Sequence, residues 1–274
     1  MQFANEIKAE ILDALRRDKL ELPVLPEVAL KIRDAAADPD VTVATLGQVI
    51  GDDAALSARI VRVANSPLLR SASPIETLSG AIGRMGVTFS ANLATGFAME
   101  QMFQATSEAV DALMHEVWSH SVKVAAIASV TARRYTKLKP DRAMLAGLTH
   151  TIGILPVLAW AEADDRLGND PDLLSAVIEA VHPELGSAIL ESWQFPVELI
   201  QVPKECCTFA RCSTAVDYVD IVMIANLHSY LGTQHPFARM DWDELDAFKH
   251  LGVCAADAQC EIAAMASELA AAMH

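Results

Sequence analysis

The stretch Asp53-Ala-Ala-Leu-Ser-Ala-Arg-Ile-Val-Arg-Val-Ala-Asn-Ser66 reads as one amphipathic helix. Leu56, Ile60 and Val63 recur at the spacing that puts them on a single face, while Arg59 and Arg62 turn outward. Asp53 stands where a carboxylate caps the free amides of a first turn. Asn65-Ser66-Pro67 opens a turn-rich connection that runs to Ser73-Pro74.

The same pattern extends in both directions. Toward the N-terminus, Ile7, Ile11, Leu12 and Leu15 form an apolar stripe, which Leu22-Pro-Val-Leu-Pro26 interrupts. Pro26 suits the first turn of a helix carrying Val28, Ala29 and Ile32, and Asp38-Pro39 ends it. Thr42 can cap a helix with Leu46, Val49 and Ile50 inward. Toward the C-terminus come a helix from Thr77 to Arg84, Gly86 as its stop, and an apolar helix over about 90–103.

The polar, aperiodic segment Gln104 to Asp111 sets the expected boundary between an N-terminal helical sub-domain, 1–105, and a second one, 106–274. Beyond it, helices are predicted near 112–135, 140–150, 153–162, 171–181, 183–193, 196–204 and 213–231. Pro171, Pro183 and Pro196 mark first helical positions. Asp241-Trp-Asp-Glu244 matches a capping box for a short helix stopping at Gly252, and a last helix carries Ile262, Met265, Ala266 and Leu269. No segment sustains period-two alternation, so an all-α fold is expected.

Composition narrows the function. With 274 residues and 52% hydrophobic content the chain can bury a large core. A formal charge of −15 argues against general nucleic-acid binding, which needs clustered cations. Arg133-Arg134 with Lys137 and Lys139 reads as a solvated, cation-rich helix end. The N-terminus lacks a secretion-signal pattern, and no uninterrupted apolar run approaches the ~18 residues of a membrane span. A cytoplasmic protein with no membrane partner is expected.

The five cysteines then read as reduced thiols. Cys206-Cys207 with Cys212 lacks the separated pairs of a zinc site and reads as structural. Gly80, Gly83 and Gly86 lack phosphate-loop spacing, and the acidic run 162–172 lacks calcium-loop spacing.

Three blocks carry a family resemblance: Leu22-Pro-Val-Leu-Pro-Glu-Val28, the Asp53–Ser66 stretch, and Ile75-Glu-Thr-Leu-Ser-Gly-Ala-Ile-Gly-Arg-Met-Gly86. In order and spacing they resemble the HDOD family, HD-related output domains of bacterial signal-transduction proteins. Weaker similarity continues through Trp118-Ser-His-Ser121, Leu145 to Gly153 and His182 to Trp193, so it covers about residues 20–230. The resemblance implies an N-terminal helical part packed on a core like that of HD phosphohydrolases.

Catalytic HD proteins hold a divalent metal with a histidine, an adjacent His-Asp pair and a later aspartate. Carried onto this chain, His120 matches the first histidine and His150 the second. Thr151 replaces the aspartate of the pair, and Asn226 falls at the later aspartate, with Asp220 one and a half turns earlier. Ile154 occupies a position where metal hydrolases often have lysine. His182 matches a further histidine of some HD sites, although His-Pro there reads as capping or structural. The HD motif is therefore degenerate: both anionic ligands are replaced by neutral groups, which weakens the hold on a hard cation.

The expectation is a chain with no catalytic residue, metal or cofactor. His120, His150, Thr151 and Asn226 should form a vestigial cleft, with Ile154, His182 and Asp220 around it. The expected role is a signal-transduction module acting on protein partners through its N-terminal part and the adjoining groove. The alternatives are a residual metal-dependent phosphohydrolase, with Asp220 or Asp141 supplying charge, and a small-ligand sensor using the cleft. A homodimer is an assembly open to such a module, although the sequence marks no interface.

Overall fold

The computed structural model describes residues 2–69, 73–252 and 255–274, and among them there is no strand. The N-terminal half contains α1 (Gln2–Arg16), α2 (Glu27–Ala37), α3 (Val43–Gly51), α4 (Ala54–Ala64), α5 (Leu78–Met85) and α6 (Val87–Met99). Local chemistry places their starts. Thr42 and Thr45 form a reciprocal capping box at α3, Asp53 accepts from Leu56 N at 2.9 Å to open α4, and Thr77 caps α5. Gly86, at φ 86°, joins α5 to α6 in a conformation that side chains with a Cβ resist.

The second half is built around α7 (Glu108–Tyr135), a 28-residue helix buried mainly in its C-terminal half. Ser121 to Ala132 is almost continuously enclosed because α7 has neighbours on several sides. These are α8 (Pro140–Thr149), later α13 (Tyr218–Ser229), and α15 (Ala255–Met273). Between them lie α9 (Ile154–Ala163), the single turn α10 (Asp165–Gly168), α11 (Pro171–Ser192), α12 (Val197–Glu205) and α14 (Asp246–Leu251).

The two halves share contacts. α1 packs on α11, α6 on α8, and α15 reaches back to α4. One apolar core runs from Ile7 and Ile11 to Leu269 and Met273, and a smaller one surrounds Trp242 and Phe248. Measured by mean hydropathy rather than by uninterrupted runs, Pro140–Ala163 and Pro171–Ser192 are long and apolar enough to span a membrane. In the fold the first of these is an interior segment, 89% buried.

Two local readings are corrected. Pro183 does not open a helix; α11 runs through it from Pro171 to Ser192. Val177, Val181, Leu185 and Ile189 keep one buried stripe across the proline, so packing outweighs the lost backbone hydrogen bond. Asp241 does not cap a helix either. Its carboxylate accepts from Asp243 N at 3.3 Å, and α14 begins at Asp246. Trp242 is the reason: its buried ring stacks on Phe248 and its indole N–H donates to Phe237 O at 2.8 Å, so this segment is pulled into the core as a turn.

Candidate HD-like site

α7 and α8 lie side by side, and their contact brings His120 and His150 together with ring centroids 5.3 Å apart. His120 projects from α7, whereas His150 sits at the C-terminal end of α8, where the chain turns toward α9. The His150 Nδ1 lies 2.7 Å from the Gly147 carbonyl. A carbonyl only accepts, so the neutral ring carries its proton on Nδ1 and keeps its Nε2 lone pair. Burial holds this imidazole down at about pKa 3, with His120 and His182 adding to the depression.

The turn after His150 is set by a close approach. A Cβ on Gly153 would lie 2.0 Å from the His182 carbonyl oxygen and 2.5 Å from Gly186 N, so the turn meets α11 backbone to backbone. This contact ties α11, with His182, to the turn after His150. His182 is itself held at about pKa 4 by burial, and its Nδ1 has no hydrogen-bond partner.

Thr151 is buried and its Oγ1 lies 2.6 Å from Ser121 Oγ. Ser121 also lies 2.9 Å from the Val117 carbonyl, which takes its only proton. Thr151 is therefore the donor of the pair. At the position that the resemblance assigns to a carboxylate, Thr151 donates its hydroxyl to Ser121.

Asn226 is buried on α13 beside His120, and burial holds His120 at about pKa 4 while Asn226 opposes part of that depression. The Asn226 Nδ2 lies 3.6 Å from Cys207 Sγ, and its Oδ1 makes no hydrogen bond. Ile154 is buried at the start of α9 and turns toward Thr151 through its backbone, Ile154 N to Thr151 O at 2.9 Å.

Both alternative carboxylates are engaged elsewhere. Asp220 lies six residues before Asn226, about 9 Å along the helix axis. It accepts from Arg211 at 2.7 Å and Ser213 at 3.0 Å, and forms the α13 capping box with Asp217. Asp141, in the first turn of α8, accepts from Asn92 at 2.7 Å.

Two residues at the site, Ser121 and Tyr230, were not singled out from sequence, and a third, Cys207, was singled out without its partner. Ser121 is next to His120 and could have been found as its neighbour. Tyr230 lies one turn after Asn226, its ring 5.3 Å from His120 and stacked on His235 at 3.8 Å; burial pushes its phenol up to about 12. Cys207, read from sequence as a structural thiol, touches Asn226, a contact that depends on how α12 leads into α13. The neighbouring Cys206, fully buried, holds the Cys207 thiol below its ordinary value. Cys212 is exposed and apart from this contact.

Among the described residues, no set of three or more His, Cys, Asp or Glu side chains is placed to hold a metal ion. Two imidazoles, a hydroxyl pair and an amide do not fit the hard divalent cation of HD chemistry, because nothing anionic balances its charge.

The helical fold and the histidines paired between α7 and the end of α8 define the class, an HD-related all-α protein. A family model for the HDOD domain matches residues 22–205, and the chain belongs to the HDOD family. It is similar over 100% of both chains to the solved structure of a candidate metal-dependent phosphohydrolase from Shewanella amazonensis, at 32% identity and a TM-score of 0.90. An HDOD domain protein of unknown function from Geobacter sulfurreducens shares the fold at 22% identity and a TM-score of 0.63, covering 98% of this chain and 97% of that one. An uncharacterized protein of Treponema pallidum is 24% identical over 66% of this chain, and the match spans 36% of that relative's length.

Proposed function

We propose that this protein is a non-catalytic signalling module of a bacterial cytoplasmic pathway, working through contacts with protein partners. The observation that carries the reading is the neutral HD-like site. Thr151 is paired with Ser121, Asn226 replaces the later carboxylate, and Asp220 and Asp141 have partners of their own. A scaffold that keeps the histidine pair but not the charges is suited to presenting a surface.

The best surface lies at the seam between the N-terminal helices and the α11–α12 turn. Arg33 on α2 donates to the carbonyls of Trp193 at 2.8 Å and Gln194 at 3.2 Å, and its guanidinium sits 4.4 Å from the Phe195 ring centroid. A cation placed on the carbonyl end of α11 is favourable. Trp193 completes the clamp by donating to Pro23 O at 2.9 Å. Next to these cross-links Val24 is 84% exposed, Val197 64% and Leu30 48%. Exposed apolar side chains beside such cross-links are candidates for an interaction surface.

Capture of partners from the native host by three forms of the protein tests the reading: wild type, Val24→Glu with Val197→Glu, and His120→Ala with His150→Ala. A partner lost by the seam variant and kept by the histidine variant supports it. A partner kept by the seam variant and lost by the histidine variant overturns it.

A second reading, residual metal-dependent phosphohydrolysis, draws on the 32% identity to the Shewanella protein and on the Nε2 lone pair that His150 keeps when its Nδ1 carries the proton. Stoichiometric manganese or iron in protein purified without chelators, lost with His120→Ala and His150→Ala, would favour it.

A further inference from the structure

Beside the HD-like site lies a cavity of about 550 Å³, walled by α7, the end of α13 and α15. Its size is that of a small-molecule site rather than of a packing defect. Its floor is apolar and buried: Ile127 from α7, and Ile262 and Ala266 from α15. On α15 the facing positions Ala263, Ala266 and Ala270 are all alanine, which leaves open the space that larger side chains would fill.

One polar group in this wall is anomalous. His228 is 5% exposed, lines the cavity, and has no hydrogen-bond partner among the described residues on either ring nitrogen. Its ring packs against Trp242 and Phe248, at 5.3 and 5.8 Å between centroids, so its protein neighbours are aromatic. A buried imidazole with both nitrogens unpaired is a cost that the packed protein carries at this wall. Burial holds it at about pKa 4, so near neutrality it offers one N–H and one lone pair.

At the mouth the lining charges are Lys123 and Glu116. Lys123 is exposed and donates to the Ser229 carbonyl, which positions the ammonium there with two N–H groups to spare. The apolar floor suits an apolar body, and of the two rim charges Lys123 is the one able to pair with an acid group, Glu116 standing seven residues away on the same helix.

We propose that this cavity binds a small apolar carboxylate, its acid group on Lys123 and its body on Ile127, Ile262 and Ala266 beside His228. The source is a fatty acid or an aromatic acid, which share this chemistry. His120 of the HD-like pair also lines this cavity, so the two sites adjoin, but the proposal requires neither catalysis by that pair nor a partner at the Val24–Val197 seam.

Isothermal titration of the whole chain with decanoate, 3-phenylpropionate, decanol and inorganic phosphate tests the proposal. One carboxylate is expected to bind with 1:1 stoichiometry, at least about tenfold tighter than decanol, since a charge-assisted bond to Lys123 contributes on that scale. Which of the two binds identifies the source. Lys123→Met, at an exposed position, should erase the preference over decanol, and Ala266→Phe should abolish binding by filling the floor. Ser267→Trp, at an exposed rim position, serves as the blocking variant should Ala266→Phe fail to fold. The proposal is overturned if no carboxylate saturates, if decanol or phosphate binds as tightly, if Lys123→Met keeps the preference, or if a folded blocking variant still binds.

Discussion

The hydroxyl of Thr151 on the α8–α9 turn donates to that of Ser121 on α7 across 2.6 Å, inside the core and away from solvent. This single contact joins the two elements that an HD site uses to hold its metal, and it does so without charge. Ser121 in turn donates to the Val117 carbonyl, so the chain of donors ends on backbone and neither hydroxyl brings a charge to balance a cation.

Restoring the anions should restore affinity. Thr151→Asp with Asn226→Asp places two carboxylates beside His120 and His150, and manganese affinity is expected to rise at least about tenfold over wild type, with each single variant gaining less. Metal content after dialysis and the manganese-induced shift in Tm measure this. Wild-type protein that already holds one manganese per chain through dialysis would sink the neutral-site account.

Acid should destabilise the fold earlier than the carboxylates alone require. His120, His182 and His228 are held at about 4 and His150 at about 3, all below the ordinary value of 6.5. Below 6.5 the unfolded chain takes up protons that the native chain refuses. Stability is therefore full above pH 6.5 and falls as pH drops toward 4, by up to about 1.4 kcal/mol per pH unit for each histidine. Urea unfolding at pH 7.5 and 5.0 reads the slope. His228→Phe removes one such group together with two unpaired buried nitrogens, so it should flatten the slope and add about 1 kcal/mol at pH 7.5. An unchanged slope would count against the buried neutral state of His228.

Gly153→Ala and Gly83→Ala make a matched pair. A methyl on Gly153 meets backbone of α11 at 2.0 and 2.5 Å, which cannot yield without moving the turn that follows His150. The expected loss is about 3 kcal/mol, at the upper end of overpacking costs. A methyl on Gly83, near the end of α5, meets nothing within 4 Å and should stabilise by about 0.5–1 kcal/mol through helix propensity. Similar Tm changes in the two variants would show that the approach to α11 is not tight.

Arg59 holds the end of α15. Its Nε and Nη2 donate to the Met273 carbonyl at 3.2 and 2.6 Å, and its Nη1 pairs with Glu100. Arg59→Ala should raise amide exchange across 262–273 and cost about 2 kcal/mol, and Arg59→Lys should rescue little because one ammonium cannot replace the fork. Exchange unchanged in Arg59→Ala would contradict the clamp.

The sequence carried most of the helices because their determinants are local. Asp53 and Thr42 cap where the pattern places them, and Leu56, Ile60 and Val63 are buried as their spacing requires. The failures at Pro183 and Asp241 share one cause. In each case burial of a neighbour, the Val181–Leu185 stripe or the Trp242 ring, outweighed a local signal worth a few kcal/mol at most.

At the site, residue types were legible and partners were not. That Thr151 and Asn226 are neutral follows from the chain alone, together with the weakened hold on a hard cation. Whether another carboxylate could stand in depended on where Asp220 and Asp141 point, and tertiary structure spends both on Arg211 and Asn92. The pairing of Ser121 with Thr151, the isolation of His228 and the open space along α15 are likewise absent from any local pattern. Each arises from helices far apart in sequence meeting side by side, and only packing decides which polar groups find partners and which are left facing a cavity.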